Sequence, residues 1–191
     1  MNKMIMVLAG LSLTVTACGG AERAQEKEGT VSRTIVTFQP DGSSEVKTIQ
    51  ITQAQQRAEV AARRQMLQNQ AAGSSIGTAV QAISADPSCA GADLWLFDDV
   101  GLRGSNELCF FGAGAAQLAN YMTAYCTEST CFYSTWWHHV RSYWAGTSPG
   151  YFLGNPQVWG EPPGYEYFDA WQPVDNAGYW AQHSFEVGLS F

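Results

Sequence analysis

The chain has 191 residues with 10 Lys+Arg against 17 Asp+Glu, a formal charge of -7, and that acidic balance excludes a nucleic-acid partner, whose phosphates select clustered Lys and Arg. With 46% apolar and 13% aromatic residues it can bury a core, so wholesale disorder is excluded as well. The length allows one ordinary domain with accessory segments, or two small domains. The averages hide an asymmetry. All seven Trp, all eight Tyr and eight of nine Phe lie from Cys89 onward, where the only basic residues are Arg103 and Arg141 against ten acidic ones.

In chain order, residues 1-17 read as an export signal. Lys3 precedes the apolar run Met4 to Leu11, which is too short to span a bilayer comfortably as a mature helix. Val15-Thr16-Ala17-Cys18 resembles the lipobox of bacterial lipoproteins, which implies acylation of Cys18 and a stable membrane anchor. The competing reading is an ordinary signal cut after Ala17. By the same resemblance, Gly19 after the cysteine points to the outer membrane or cell surface, with secretion as the alternative. Residues 18-30 are small and charged and read as a tether.

Two alternating, β-branched stretches follow, Val31 to Phe38 and Glu45 to Ile51, around the turn residues Pro40-Asp41-Gly42-Ser43; this predicts a hairpin. Thr52 and Gln55 form a capping-box pattern that opens a helix to about Gln70. Its expected apolar stripe is Ala54, Ala58, Ala61, Ala62 and Met66, which is narrow and buries little. Residues 31-70 therefore read as a hairpin-helix stalk, either a spacer or a partner-binding element. Residues 71-88 read as a linker, with the boundary of an 89-191 domain near Asp86-Pro87.

Five cysteines are an odd number. Setting Cys18 aside for lipidation leaves Cys89, Cys109, Cys126 and Cys131, an even set that reads as two disulfides in an exported chain. Short loops close most readily, so Cys89–Cys109 with Cys126–Cys131 is the preferred connectivity. Zinc is disfavoured because no Cys-x-x-Cys pair occurs.

The aromatic half contains a degenerate repeat at an offset of 56 residues. Leu96-Phe97-Asp98-Asp99-Val100-Gly101-Leu102-Arg103-Gly104 matches Phe152-Leu153-Gly154-Asn155-Pro156-Gln157-Val158-Trp159-Gly160 in pattern, with Trp95 and Tyr151 ahead of them. Turn signals throughout predict an all-β sandwich. The apolar-x4-apolar-x-Gly pattern with a later strand Ser resembles the Greek-key motif of βγ-crystallin proteins, nearest to bacterial secreted metalloproteinase inhibitors of that fold. Phe97, Leu102, Gly104 and Ser142 carry the first motif; Leu153, Val158 and Gly160 carry the second, with Asp175 to Tyr179 in its closing position and no closing Ser. The excess length between Gly104 and Ser142 is expected in Ala113 to Thr127. The resemblance implies a two-motif Greek-key sandwich, and a peptidase-inhibitor function with no cofactor.

The calcium-binding positions of that family are held in the first motif by Trp137, His138 and His139, which are poor calcium ligands. Only Asp175-Asn176 keeps oxygen chemistry. Asp98-Asp99 reads as turn chemistry. No nucleophile elbow, zinc-binding helix or phosphate loop occurs. His138 and His139, adjacent on a strand, are expected on opposite faces. The carboxylates Glu107, Glu128, Glu161, Glu166 and Asp169 read as surface acids rather than a glycosidase pair. A non-catalytic binding module is the expectation. Its candidate partners are a peptidase or an envelope glycan, the latter on an exposed ring of the Trp136-Trp137 pair; a purely structural envelope domain is the third alternative.

Overall fold

β-branched residues at alternate positions build the first two strands. In the computed structural model, which describes residues 29–71, 88–126, 131–155 and 162–190, β1 (Thr30–Phe38) and β2 (Ser44–Thr52) pair antiparallel from Thr30↔Thr52 to Phe38↔Ser44. The Asp41 carboxylate ties the turn by accepting from the Ser43 N–H at 2.9 Å and its hydroxyl at 2.6 Å. Helix α1 (Gln53–Ala71) follows at once. Its capping box closes reciprocally, Gln55 N–H to Thr52 Oγ1 at 3.1 Å and Thr52 N–H to Gln55 Oε1 at 2.8 Å.

The remaining strands are β3 (Leu94–Asp99), β4 (Arg103–Phe111), β5 (Gly114–Gln117), β6 (Met122–Cys126), β7 (Cys131–Thr135), β8 (Ser142–Ala145), β9 (Gly150–Gly154), β10 (Gly164–Phe168), β11 (Pro173–Val174) and β12 (Ser184–Leu189), with a short helix α2 (Tyr179–Gln182) before the last. A six-stranded sheet has the order β11-β8-β3-β4-β1-β2, a four-stranded sheet the order β10-β9-β12-β5, and β6-β7 form a separate pair. Two Greek-key units interlock. The first keeps β3, β4 and β8 in one sheet and sends β5 to the other; the second keeps β9, β10 and β12 and sends β11 back. Strands β3 and β9 begin 56 residues apart, the offset of the sequence repeat. The all-β sandwich, preceded by a hairpin and a helix, is thus the architecture that forms.

Period-two alternation decides what lies inside. Leu94, Leu96, Leu108, Phe110 and Tyr143 of the six-stranded sheet meet Phe152, Phe168, Val187 and Leu189 of the four-stranded one, all buried. Each of the large apolar side chains contributes about 1.5–3 kcal/mol by leaving water.

The division between a 31-70 stalk and an 89-191 domain is corrected. β1 runs parallel to β4, from Ser32↔Asn106 to Thr37↔Phe111, so the hairpin extends the larger sheet. α1 covers that sheet's outer face, where Ile35, Val60, Trp95, Phe97, Cys109 and Trp144 form a second buried cluster. The reason is legible in β3. Leu94, Trp95, Leu96 and Phe97 are all buried, and a strand apolar on both faces needs cover on both. Residues 72–87 of the expected linker, like the signal and most of the tether (1–28), lie outside the described residues.

Two smaller expectations also change. The alanines do not form the helix's buried face: Ala54, Ala58 and Ala61 are exposed, while Gln56, Val60 and Arg63 are buried and Leu67 packs at the margin. The extra length between Gly104 and Ser142 is the β6-β7 hairpin, not 113–127, because β5 within that span is the strand that crosses to the other sheet.

Candidate functional site

The folded turn between β3 and β4 gathers the first-motif residues. Phe97 and Leu102 are buried. Leu102 takes a left-handed φ of 58°, costly for a branched side chain, and its N–H donates to Ser142 Oγ at 3.0 Å. Ser142 donates in turn to the Asp99 carbonyl at 2.5 Å, so one buried hydroxyl closes the turn from the neighbouring strand. Gly104 is required by close approach: a Cβ there would fall 1.8 Å from Asp98 Oδ1. Asp98 is consumed within the fold, accepting from the Asn106 N–H at 3.1 Å and its amide at 2.6 Å. Burial pushes its carboxyl up, with Asn106 pulling it back. Asn106 also clasps the backbone of Ala124, donating to its carbonyl at 2.9 Å and accepting from its N–H at 2.8 Å. That clasp fixes the middle of β6, opposite Tyr133, to the sandwich.

In the second motif Leu153 is half-buried on β9; Val158 and Gly160 lie outside the described residues. The unit's fourth strand begins at Ser184, which is fully buried and donates to the Ala181 carbonyl at 2.7 Å. Residues 175–179 therefore do not form the closing strand; they lead into α2.

The Cys89–Cys109 disulfide forms, with Cα atoms 5.8 Å apart. Cys126 stands opposite Cys131 in the backbone register of β6 and β7; their side chains, like Cys18, lie outside what is described. Beside the disulfide runs a polar seam between α1 and the sheet that sequence patterning missed. The fully buried Glu107 accepts from Arg33, from Gln56 Nε2 at 3.0 Å and from Trp95 Nε1 at 3.1 Å. Burial pushes its carboxyl up against the opposing pull of the Arg33 guanidinium. Arg63 donates to the carbonyls of Cys89 and Ala92 at 3.2 and 2.9 Å, and burial pushes it down to about 10, with Asp93 pulling it back. The only signal in the sequence is that Gln56, Val60, Arg63 and Leu67 share one helical face.

The remaining candidate carboxylates are not brought together. Glu166 accepts from the N–H groups of Gly178 and Ala181 at 3.2 and 3.0 Å, capping α2. Asp169 is exposed, and Glu128 and Glu161 lie outside the described residues. Asp175 pairs with Arg64 at 3.1 Å. His138 and His139 sit in a turn rather than on a strand, and His138 has a φ of 64°. Their rings take different neighbours: His138 lies 5.5 Å from His183, while His139 Nε2 is 3.2 Å from Ser134 Oγ. Burial, then the charges of His183, His139 and Arg141, pushes the His138 imidazole down. Among the described residues no group of three or more His, Cys, Asp or Glu could hold a metal ion.

Exposed aromatics mark what is left to bind. Trp136 is buried and its neighbour Trp137 is 44% exposed, because the chain turns there. Phe132 (61% exposed) and Tyr133 (70%) are adjacent on β7, so that strand is bare on both faces; Met122 on β6 is exposed beside them. Tyr165 and Tyr167 of β10 are exposed on the outer side of the four-stranded sheet. Compared with family models, curated proteins and solved structures, the chain matches none.

Proposed function

We propose that this chain is an exported, lipid-anchored, non-catalytic module of the βγ-crystallin-like kind that acts as a peptidase inhibitor, and that it offers the β6-β7 hairpin to the peptidase. The observation that carries the reading is the hairpin itself. It is inserted into the first Greek-key unit, clasped at the middle of β6 by Asn106, and bears exposed Met122, Phe132 and Tyr133 on an extended backbone. A peptidase groove recognises an extended strand through its backbone and seats large apolar side chains in pockets. Holding that strand in shape beforehand lowers the entropy lost on binding, and a Cys126–Cys131 bridge across the pair would hold it further. The interchange of third strands and the turn closed by Ser142 support the crystallin-like part of the reading.

The test is inhibition by the full-length protein across a panel of metallo- and serine peptidases at micromolar concentration. The expected result is inhibition of at least one member, weakened by about tenfold or more in Phe132→Ala/Tyr133→Ala, as for the anchor residues of an interface. Absence of inhibition across the panel removes the reading. Inhibition that the double variant leaves unchanged removes the hairpin as the contact.

A further inference from the structure

The two outer faces of the sandwich are related by the internal repeat, yet only one is covered. On the first, Trp95 stands opposite Cys109 on one side and Trp144 on the other, and all three are sealed in the cluster with α1. The position 56 residues after Trp95 is Tyr151, which stands opposite Tyr167 and Gly188 in the same relation. Tyr165 stands beside it, opposite Leu153. No described element covers this second face: Tyr165 is 50% and Tyr167 73% exposed. At the position where the covered face carries Trp95, the bare one carries a phenol.

We propose that the outer face of the four-stranded sheet binds a neutral oligosaccharide chain across Tyr151, Tyr165 and Tyr167. The rings form a row, Tyr151 to Tyr165 at 5.6 Å edge to face and Tyr165 to Tyr167 at 5.8 Å with nearly parallel planes. Two features hold Tyr151, the start of the row, in place. Gly188 bares the sheet backbone so that Tyr151 can lie across it; a Cβ there would meet Tyr151 Cε1 at 2.3 Å. The Tyr151 hydroxyl donates to Glu186 at 2.9 Å, and the other oxygen of Glu186 accepts from Gln117 at 2.5 Å. A ring fixed before the ligand arrives loses little entropy when it binds.

The chemistry of the face selects the ligand. Tyrosine presents an apolar ring and a polar tip at once, which suits a sugar, with its C–H face and rim of hydroxyls. Gln117 and Glu186 supply a donor and acceptors beside the rings, the few placed polar groups that fix orientation. Strands β5, β9, β10 and β12 contain no Lys or Arg, and Glu186 is the one charged residue on their outer side. Nothing there attracts an anion, so uronic-acid polymers and acidic peptides are disfavoured. The surface is a row on a sheet and not a pit, which fits a chain lying along it better than a single sugar.

The experiment uses the full-length protein in affinity electrophoresis through gels containing hydroxyethylcellulose, galactomannan or laminarin, followed by fluorescence titration with the matching hexasaccharide. The expected result is retardation by at least one of these polymers that is insensitive to salt, with affinity falling about tenfold or more in Tyr165→Ala/Tyr167→Ala. The variant should melt at the parent temperature and inhibit peptidases as the parent does, which separates this site from the hairpin. Retention of binding in the variant, or no binding to any neutral polymer, overturns the proposal. So does a parent that self-associates through this face, seen as a dimer in sedimentation that the variant turns into a monomer.

Discussion

Ser142 Oγ satisfies two backbone groups of a turn on the neighbouring strand, and the turn contains a leucine in left-handed geometry. Replacing that hydroxyl by hydrogen leaves the buried Leu102 N–H without its acceptor and the part-buried Asp99 carbonyl without this donor. An abandoned buried polar group costs about 1–3 kcal/mol, and the strain at Leu102 loses its counterweight. Ser142→Ala is therefore expected to destabilise the full chain by that amount, read as a lower urea midpoint with an unchanged slope, since the surface exposed on unfolding stays the same. A midpoint equal to the parent's would show that the turn holds itself. The same scale explains Gly104, whose missing side chain gives Asp98 its room.

Between elements, the seam joining α1 to the six-stranded sheet is ionic at its centre and apolar around it. Arg33 reaches Glu107 and, at 3.0 Å, Glu59 of the helix, while the Arg33 guanidinium lies 5.7 Å over the Trp95 ring. Breaking such a pair from one side is far more damaging than replacing both members. Glu107→Ala should cost about 3–5 kcal/mol, because it strips the buried Arg33 of its deepest carboxylate. Arg33→Met/Glu107→Met should restore much of that loss, and thermal melts of the three proteins measure it. If the double variant is no more stable than Glu107→Ala, the charge pair is not the reason for the cost. Arg63, 5.2 Å over Trp144, repeats the device one turn further along the helix.

For the molecule as a whole, the two compositional halves share one folded unit. Without β1, β2 and α1, β4 would be an open edge, and Trp95, Phe97 and Trp144 would face water; open edges and large apolar patches both promote aggregation. A fragment of residues 88–191 is expected to lack a cooperative melt and to elute as aggregates, whereas the full chain melts in one transition. A monomeric, cooperatively melting fragment would restore the stalk as a spacer.

What the sequence by itself determined is what depends on near neighbours: the hairpin, the capping box at Thr52, the 56-residue repeat and the alternation that makes a β-sandwich. Local rules suffice there because the groups that decide the structure lie within a few residues of one another, or repeat with a fixed period. Tertiary structure alone decided that β1 pairs with β4, that Gln56 and Arg63 face inward while the alanines face water, and that Ser184 opens the last strand. A polar side chain is worth burying only when a partner such as Glu107 waits from another part of the chain, 51 residues away from Gln56. Hydropathy along the sequence does not encode that partner. The row of tyrosines was hidden for the same reason: only the packing of the sheets sets it on an open face.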